Sequence, residues 1–86
     1  HANSGKDPYL QPMVIKNVAE QIQNGNKSII GMMIESHLKG GNQKLTADLS
    51  QLEYGKSITD GCLDWDSTVT ALRDLRDMVK DVLPNR

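Results

Sequence analysis

Between Ser28 and Ile34 the chain carries an apolar run, Ile29-Ile30-Gly31-Met32-Met33-Ile34, in which hydrophobic residues do not alternate with polar ones. A half-buried strand alternates with period two, so an unbroken run of this length reads as a strand covered on both faces, as in parallel sheets flanked by helices. The remaining sequence offers no second run of the same kind. One strand is not a sheet, and a hydrophobic strand with two free edges is an association site. Its partners are therefore expected to come from elsewhere, either from absent parts of the polypeptide or from another copy.

The flanking sequence reads as helix before the strand and as loop then helix after it. Met13, Val14, Val18 and Ile22, with Ala19 beside them, predict a helix over Pro12–Asn24, with Pro12 at its first turn and Gly25 closing it. A start at Asp7-Pro8 is the alternative, and it would place Pro12 inside the helix and kink it. A second helix is predicted over Asp66–Leu83. Val69, Leu72, Val79 and Val82 form its apolar side, Leu75, Met78 and Leu83 widen it, Asp64 or Asp66 caps its start and Pro84 ends it. Residues Lys39 to Leu63 form a long loop, in which Leu45, Leu49 and Leu52 suggest partial packing and Gly40-Gly41-Asn42 suggests mobility. The order is helix, buried strand, long polar loop, helix, which is an α/β pattern.

Composition narrows the function. The chain has 86 residues, ten basic against eleven acidic, a net charge of −1, and Trp65, Tyr9 and Tyr54 as its aromatics. Nucleic-acid binding needs a cationic surface and often aromatic platforms, and neither is present. No apolar run approaches the ~20 residues of a membrane span, and no signal peptide is visible. Cys62 is the lone cysteine, which excludes an internal disulfide and suits a reducing cytoplasm. Gly40-Gly41-Asn42-Gln43-Lys44 lacks the spacing of a phosphate-binding loop, and no nucleophile elbow supports a Ser-His-Asp set.

In parallel α/β folds ligands gather beyond the carboxyl ends of strands. Glu35 follows the strand directly, Asp60 lies in the loop after it, and His1 precedes the first helix, where an earlier strand would deliver it. An imidazole and two carboxylates form an N/O donor set for manganese, iron, cobalt or zinc. Each also fits a plainer role: a chain-terminal histidine, a strand-end carboxylate, a turn aspartate before Gly61. His37, two residues beyond Glu35, fits second-rank support of that carboxylate or a surface position. Lys6 and Lys56 fit either attraction of an anionic substrate or plain solvation, and Cys62 fits buried packing.

Three blocks in order, His1-Ala2-Asn3-Ser4-Gly5-Lys6, Ile29 through Leu38 with its Glu35-Ser36-His37, and Tyr54 through Cys62 with its Gly55-Lys56-Ser57-Ile58-Thr59-Asp60, closely resemble the C-terminal part of class I 3-deoxy-D-arabino-heptulosonate 7-phosphate synthase, the phospho-2-dehydro-3-deoxyheptonate aldolase family. The resemblance implies that residues 1–86 are the end of a single (β/α)8 TIM-barrel domain: helix seven, strand eight, the catalytic loop and helix eight. It implies a divalent metal held by His1, Glu35 and Asp60, with Asp60 also near the aldehyde substrate. It implies condensation of phosphoenolpyruvate with erythrose 4-phosphate, the first step of the shikimate pathway. The family's fourth ligand, a cysteine of an early strand, has no counterpart here, since Cys62 matches a different family cysteine. The residues that grip phosphoenolpyruvate also belong to upstream strands, and no residue of this chain is assigned as the base. The chain alone is therefore expected to be inactive and to self-associate. The alternative is a non-catalytic interaction module or a decayed remnant.

Overall fold

The computed structural model describes residues 2–86. Helix α1 spans Gln11–Gln23 and follows directly on a 3-10 turn at Pro8–Leu10. The Asp7 carboxylate accepts the Tyr9 N–H at 3.0 Å and starts that turn. The α-helix thus starts one residue before the expected Pro12. Helical winding begins at Asp7-Pro8, but as a 3-10 turn, and Pro12 falls at the second position of α1, where an absent N–H leaves no bond unmade. At the other end Gly25 takes φ +100°, and its N–H bonds the Ile22 carbonyl at 3.1 Å, as a left-handed helix terminator does.

Helix α2 spans Trp65–Val79. Asp64 caps it: its carboxylate accepts the Ser67 N–H at 2.7 Å, and its carbonyl accepts the Thr68 hydroxyl at 2.7 Å. The helix stops four residues short of the expected Leu83. Val82 N–H turns back to the Val79 carbonyl, and Leu83–Asn85 form a 3-10 turn around Pro84. A proline ahead tightens the last turn rather than fixing the helix end at its own door.

The bond from Ser67 holds the Asp64 carboxyl below its usual value of 3.8. A lowered folded-state value contributes stability above pH 3.8 that is lost as the pH falls through the folded value. Asp64→Asn keeps a capping acceptor but no charge. The thermal midpoint of the native chain should exceed that of Asp64→Asn at pH 6, and the gap should close below pH 3.8. A gap unchanged between pH 6 and an acid limit of about 2.5 would refute this assignment.

The two helices pack on each other through Ala19, Ile22 and Val79, with Val18, Ile29, Leu75, Met78 and Val82 around them. The buried stripes are rotated from those read in the sequence. On α1 Ile15 is buried and Met13 exposed, and on α2 Thr68 and Ala71 are buried while Leu72 is 47% exposed. Small residues at Ala19 and Ala71 let the helices approach, and the larger Met13 and Leu72 are displaced to the rims.

No strand is formed among the described residues, which corrects the expected strand at Ser28–Ile34. The segment is extended but joins no β-bridge. Ile29 packs on the helical core, whereas Ile30 is 96% and Met33 68% exposed, so the segment is not covered on both faces. The physical reason is the one its isolation implied: a ladder requires a neighbouring strand, and this chain supplies none. The radius of gyration is 15.5 Å, against about 12 Å for a compact domain of this length. The shape is elongated, 53 × 21 × 16 Å, with its apolar segment open along one side.

Candidate functional site

Beyond Ile34 the backbone finds partners at once. Leu63 N–H donates to the Glu35 carbonyl and His37 N–H to the Leu63 carbonyl, each at 2.9 Å, forming a parallel bridge between Ser36 and Leu63. Gly41 and Cys62 exchange both backbone bonds, at 2.8 and 3.0 Å, and Asn42 bridges Ser57. The long loop is therefore stitched by backbone pairing, with Leu63 buried at its end and Leu52 half-buried. Leu45 and Leu49 are exposed, and the expected mobility at Gly40-Gly41-Asn42 gives way to a paired turn. Gln43 adds a side-chain staple: its Nε2 donates to the carbonyls of Glu53 and Lys56, and its Oε1 accepts the Glu53 N–H.

These bonds set out the candidate ligands. Glu35 is half-buried at the point where the extended segment meets Leu63. Asp60 is exposed, three residues before Leu63. The Asn42 amide holds the Thr59 carbonyl at 2.9 Å, and the Cys62 thiol donates to the Asp60 carbonyl at 3.6 Å. Cys62 is buried, in keeping with a packing role. His1 lies outside the described residues. Of the segment that follows, Ser4 is buried, and Pro8 lies so close to Gly61, beside Asp60, that a Cβ there would meet its Cγ at 3.0 Å. Lys6, which with Gly5 turns the chain toward Pro8, sits at φ +64°, a left-handed conformation costing a non-glycine residue roughly 1–2 kcal/mol.

Other residues singled out in the sequence take plainer places. His37 is exposed, and its Nδ1 accepts the N–H of Leu38. Lys56 lies 3.8 Å from the Glu53 carboxylate, which Lys39 also approaches at 3.7 Å. Among the described residues no group of three or more His, Cys, Asp or Glu side chains is gathered for a metal. The donor chemistry of Glu35 and Asp60 still suits a hard or borderline divalent ion, with an imidazole as the third donor.

The sequence reading missed Gln11. Its side chain is 2% exposed and reaches across the fold to Glu35: Nε2 donates to the Glu35 carbonyl at 2.9 Å, and Oε1 accepts the Glu35 N–H at 2.8 Å. Burying an amide without such bonds costs about 1–3 kcal/mol. The available signal was its spacing, since Gln11 stands four residues before Ile15 and eight before Ala19, on the buried face of α1. A polar residue on that face requires a partner.

A family model described as the DAHP synthetase I family matches residues 1–73. The chain belongs to the DAHP synthetase I family. The match takes in all three motif blocks and ends inside α2. The Tyr-sensitive phospho-2-dehydro-3-deoxyheptonate aldolase of Enterobacter agglomerans is 44% identical over 86 residues, all of this chain and 40% of the relative. The Tyr-sensitive aldolase of Salmonella typhi is 47% identical over 75 residues, 87% of this chain and 21% of the relative. A solved structure of the phospho-2-dehydro-3-deoxyheptonate aldolase from Francisella tularensis matches 93% of this chain with a TM-score of 0.81 and 41% identity, and 23% of that aldolase is covered. This member of the DAHP synthetase I family thus spans between about a fifth and two fifths of the relatives it matches. Its fold is that of a portion of the aldolase. No helix among the described residues is long and apolar enough to cross a membrane.

Proposed function

We propose that residues 1–86 form the C-terminal portion of a single (β/α)8-barrel synthase domain, contributing helix seven, strand eight, the catalytic loop and helix eight. The parent reaction joins phosphoenolpyruvate to erythrose 4-phosphate and releases phosphate. The observation that carries the reading is the family match over residues 1–73, which contains every candidate ligand in order. His1, Glu35 and Asp60 would hold a divalent ion, which when bound supplies a Lewis acid for the aldehyde carbonyl. The chain's own part is to deliver the two carboxylates from main chain fixed by Gln11, Leu63 and Asn42, and to keep Asp60 accessible at the rim. The lone thiol suits a cytoplasmic setting.

The extended segment is where the missing barrel would pair. Alone, the chain is inactive and self-associates through this segment. The alternative role, a non-catalytic self-associating module, draws support from the same open segment but leaves the three intact blocks without a purpose.

The test is complementation. The 86-residue chain is assayed for heptulosonate phosphate from phosphoenolpyruvate and erythrose 4-phosphate with Mn2+, alone and co-expressed with the unmatched remainder of the Salmonella typhi aldolase, of which the matched part is 21%. Alone it should give no product. The mixture should turn over, and Asp60→Ala should lower that rate by more than about 100-fold, the upper end of what outer-shell partners of a metal contribute. Turnover by the chain alone would overturn its proposed inactivity, and turnover insensitive to Asp60→Ala would overturn the site.

A further inference from the structure

Glu35 is the candidate ligand with the most completely bonded main chain. Its N–H donates to Gln11 Oε1 at 2.8 Å, and its carbonyl accepts both Gln11 Nε2 and Leu63 N–H at 2.9 Å. The Gln11 carboxamide offers one donor and one acceptor side by side, as a peptide group of a neighbouring strand would. The contrast with the residues just before Glu35 is sharp. From Ile30 to Ile34 the backbone enters no hydrogen bond among the described residues. The chain thus passes from an unpaired stretch to a clamped one at Glu35.

We infer that Gln11 is a positioning residue for the Glu35 carboxylate, acting through the main chain of Glu35 as a one-residue substitute for a β-ladder. The inference rests on the reading of Glu35 as a metal ligand. Two bonds to one rigid planar group fix the Glu35 peptide units on both sides of Cα, and so fix the direction of Cα–Cβ. The carboxylate is thereby carried on a fixed point of the main chain. Gln11 is well placed to do this because α1 holds its own backbone, Pro12 follows it, and its side chain is buried. Its contacts with Glu35 are main-chain contacts, so Gln11 itself donates nothing to the ion. The dependence is specific. A shorter amide would not span the gap, and an apolar residue of equal length would fill the space without bonding.

The test uses the 15N-labelled 86-residue chain with Zn2+ as a diamagnetic probe. In the native chain, Zn2+ should shift the Glu35 backbone amide and the Gln11 side-chain amide together, with one apparent Kd. Gln11→Met keeps length and apolar bulk and removes both bonds. It should weaken Zn2+ binding at least tenfold and speed hydrogen exchange at Glu35 at least tenfold, with helix content and exchange at Ile15, Ala19 and Ile22 unchanged. A purely structural role would lower helix stability and leave Zn2+ affinity of the folded chain alone. Loss of affinity in Glu35→Gln combined with native affinity in Gln11→Met overturns the inference and spares the metal reading. Native affinity in Glu35→Gln overturns the metal reading and the inference with it. Should Gln11→Met fail to fold, the native titration decides: a Glu35 amide that shifts while the Gln11 side-chain amide stays still overturns the proposal.

Discussion

Ile30→Lys/Met33→Lys should convert a concentration-dependent oligomer into a monomer. Ile30 is 96% and Met33 68% exposed, on an extended segment with no ladder partner. Full burial of a side chain of this size contributes about 1.5–3 kcal/mol. Losing two such contributions weakens association by roughly 3–6 kcal/mol, or about 10²- to 10⁴-fold in Kd. Paired lysines on facing copies add repulsion and are a common device by which free strand edges are blunted. Sedimentation velocity over a concentration series reads the outcome directly. Leu49→Lys serves as the control: Leu49 is similarly exposed, at 66%, but lies on a short 3-10 turn of the loop and should change nothing. A native chain that stays monomeric at high concentration would sink the idea. If Leu72→Lys dissociates the oligomer and the double variant does not, the contact lies on the open face of α2 instead.

How much of this was legible in the sequence depends on how local each cause is. The α1 terminator at Gly25 and the α2 cap at Asp64 were readable because each acts within one helical turn. The general positions of α1 and α2 followed from apolar periodicity, but the rotation of each stripe did not. Ile15 and Ala71 are buried, and Met13 and Leu72 exposed, because of which helix faces the other, and that is decided by the pair. The apolar segment shows the boundary most clearly. Its composition reads as a strand covered on both faces, yet a ladder needs a neighbouring strand and the described residues offer none. Its extended, unbridged state is what that sequence does alone.

The rim was legible in residue type and hidden in geometry. Glu35 and Asp60 stand out as carboxylates in ordered blocks, and the resemblance of those blocks agrees with the family match. The amides that hold the main chain at or beside them, Gln11 and Asn42, are neutral residues separated from their partners by 24 and 17 positions. Spacing can mark such an amide as buried, as at Gln11, but names no partner, because the partners are backbone atoms that any residue would supply. The site is therefore a few charged groups that can be read and a scaffold of carboxamides that has to be seen.

Leu63 is the residue on which that scaffold turns, and Leu63→Ala should be the most damaging single truncation in the chain. It is 2% exposed. Its N–H and carbonyl join Glu35 and His37, and it stands two residues ahead of α2. Truncating a buried leucine to alanine costs about 2–5 kcal/mol, depending on how far the surroundings collapse. At about 0.05 kcal/mol per residue, the low end fitting an elongated chain with an open apolar side, the total stability is only about 4 kcal/mol. The variant should therefore be largely unfolded, or retain α1 and α2 with the rim undone. Denaturant unfolding checks this, and it is best done in the Ile30→Lys/Met33→Lys background, because association would otherwise make the midpoint depend on concentration. Leu49→Ala, at an exposed position, should stay within about 0.5 kcal/mol of its parent. If Leu63→Ala costs no more than Leu49→Ala, then the rim is not held by this leucine. Helix packing alone would then carry the fold, and the bridge between Ser36 and Leu63 would be a consequence of the fold rather than a support for it.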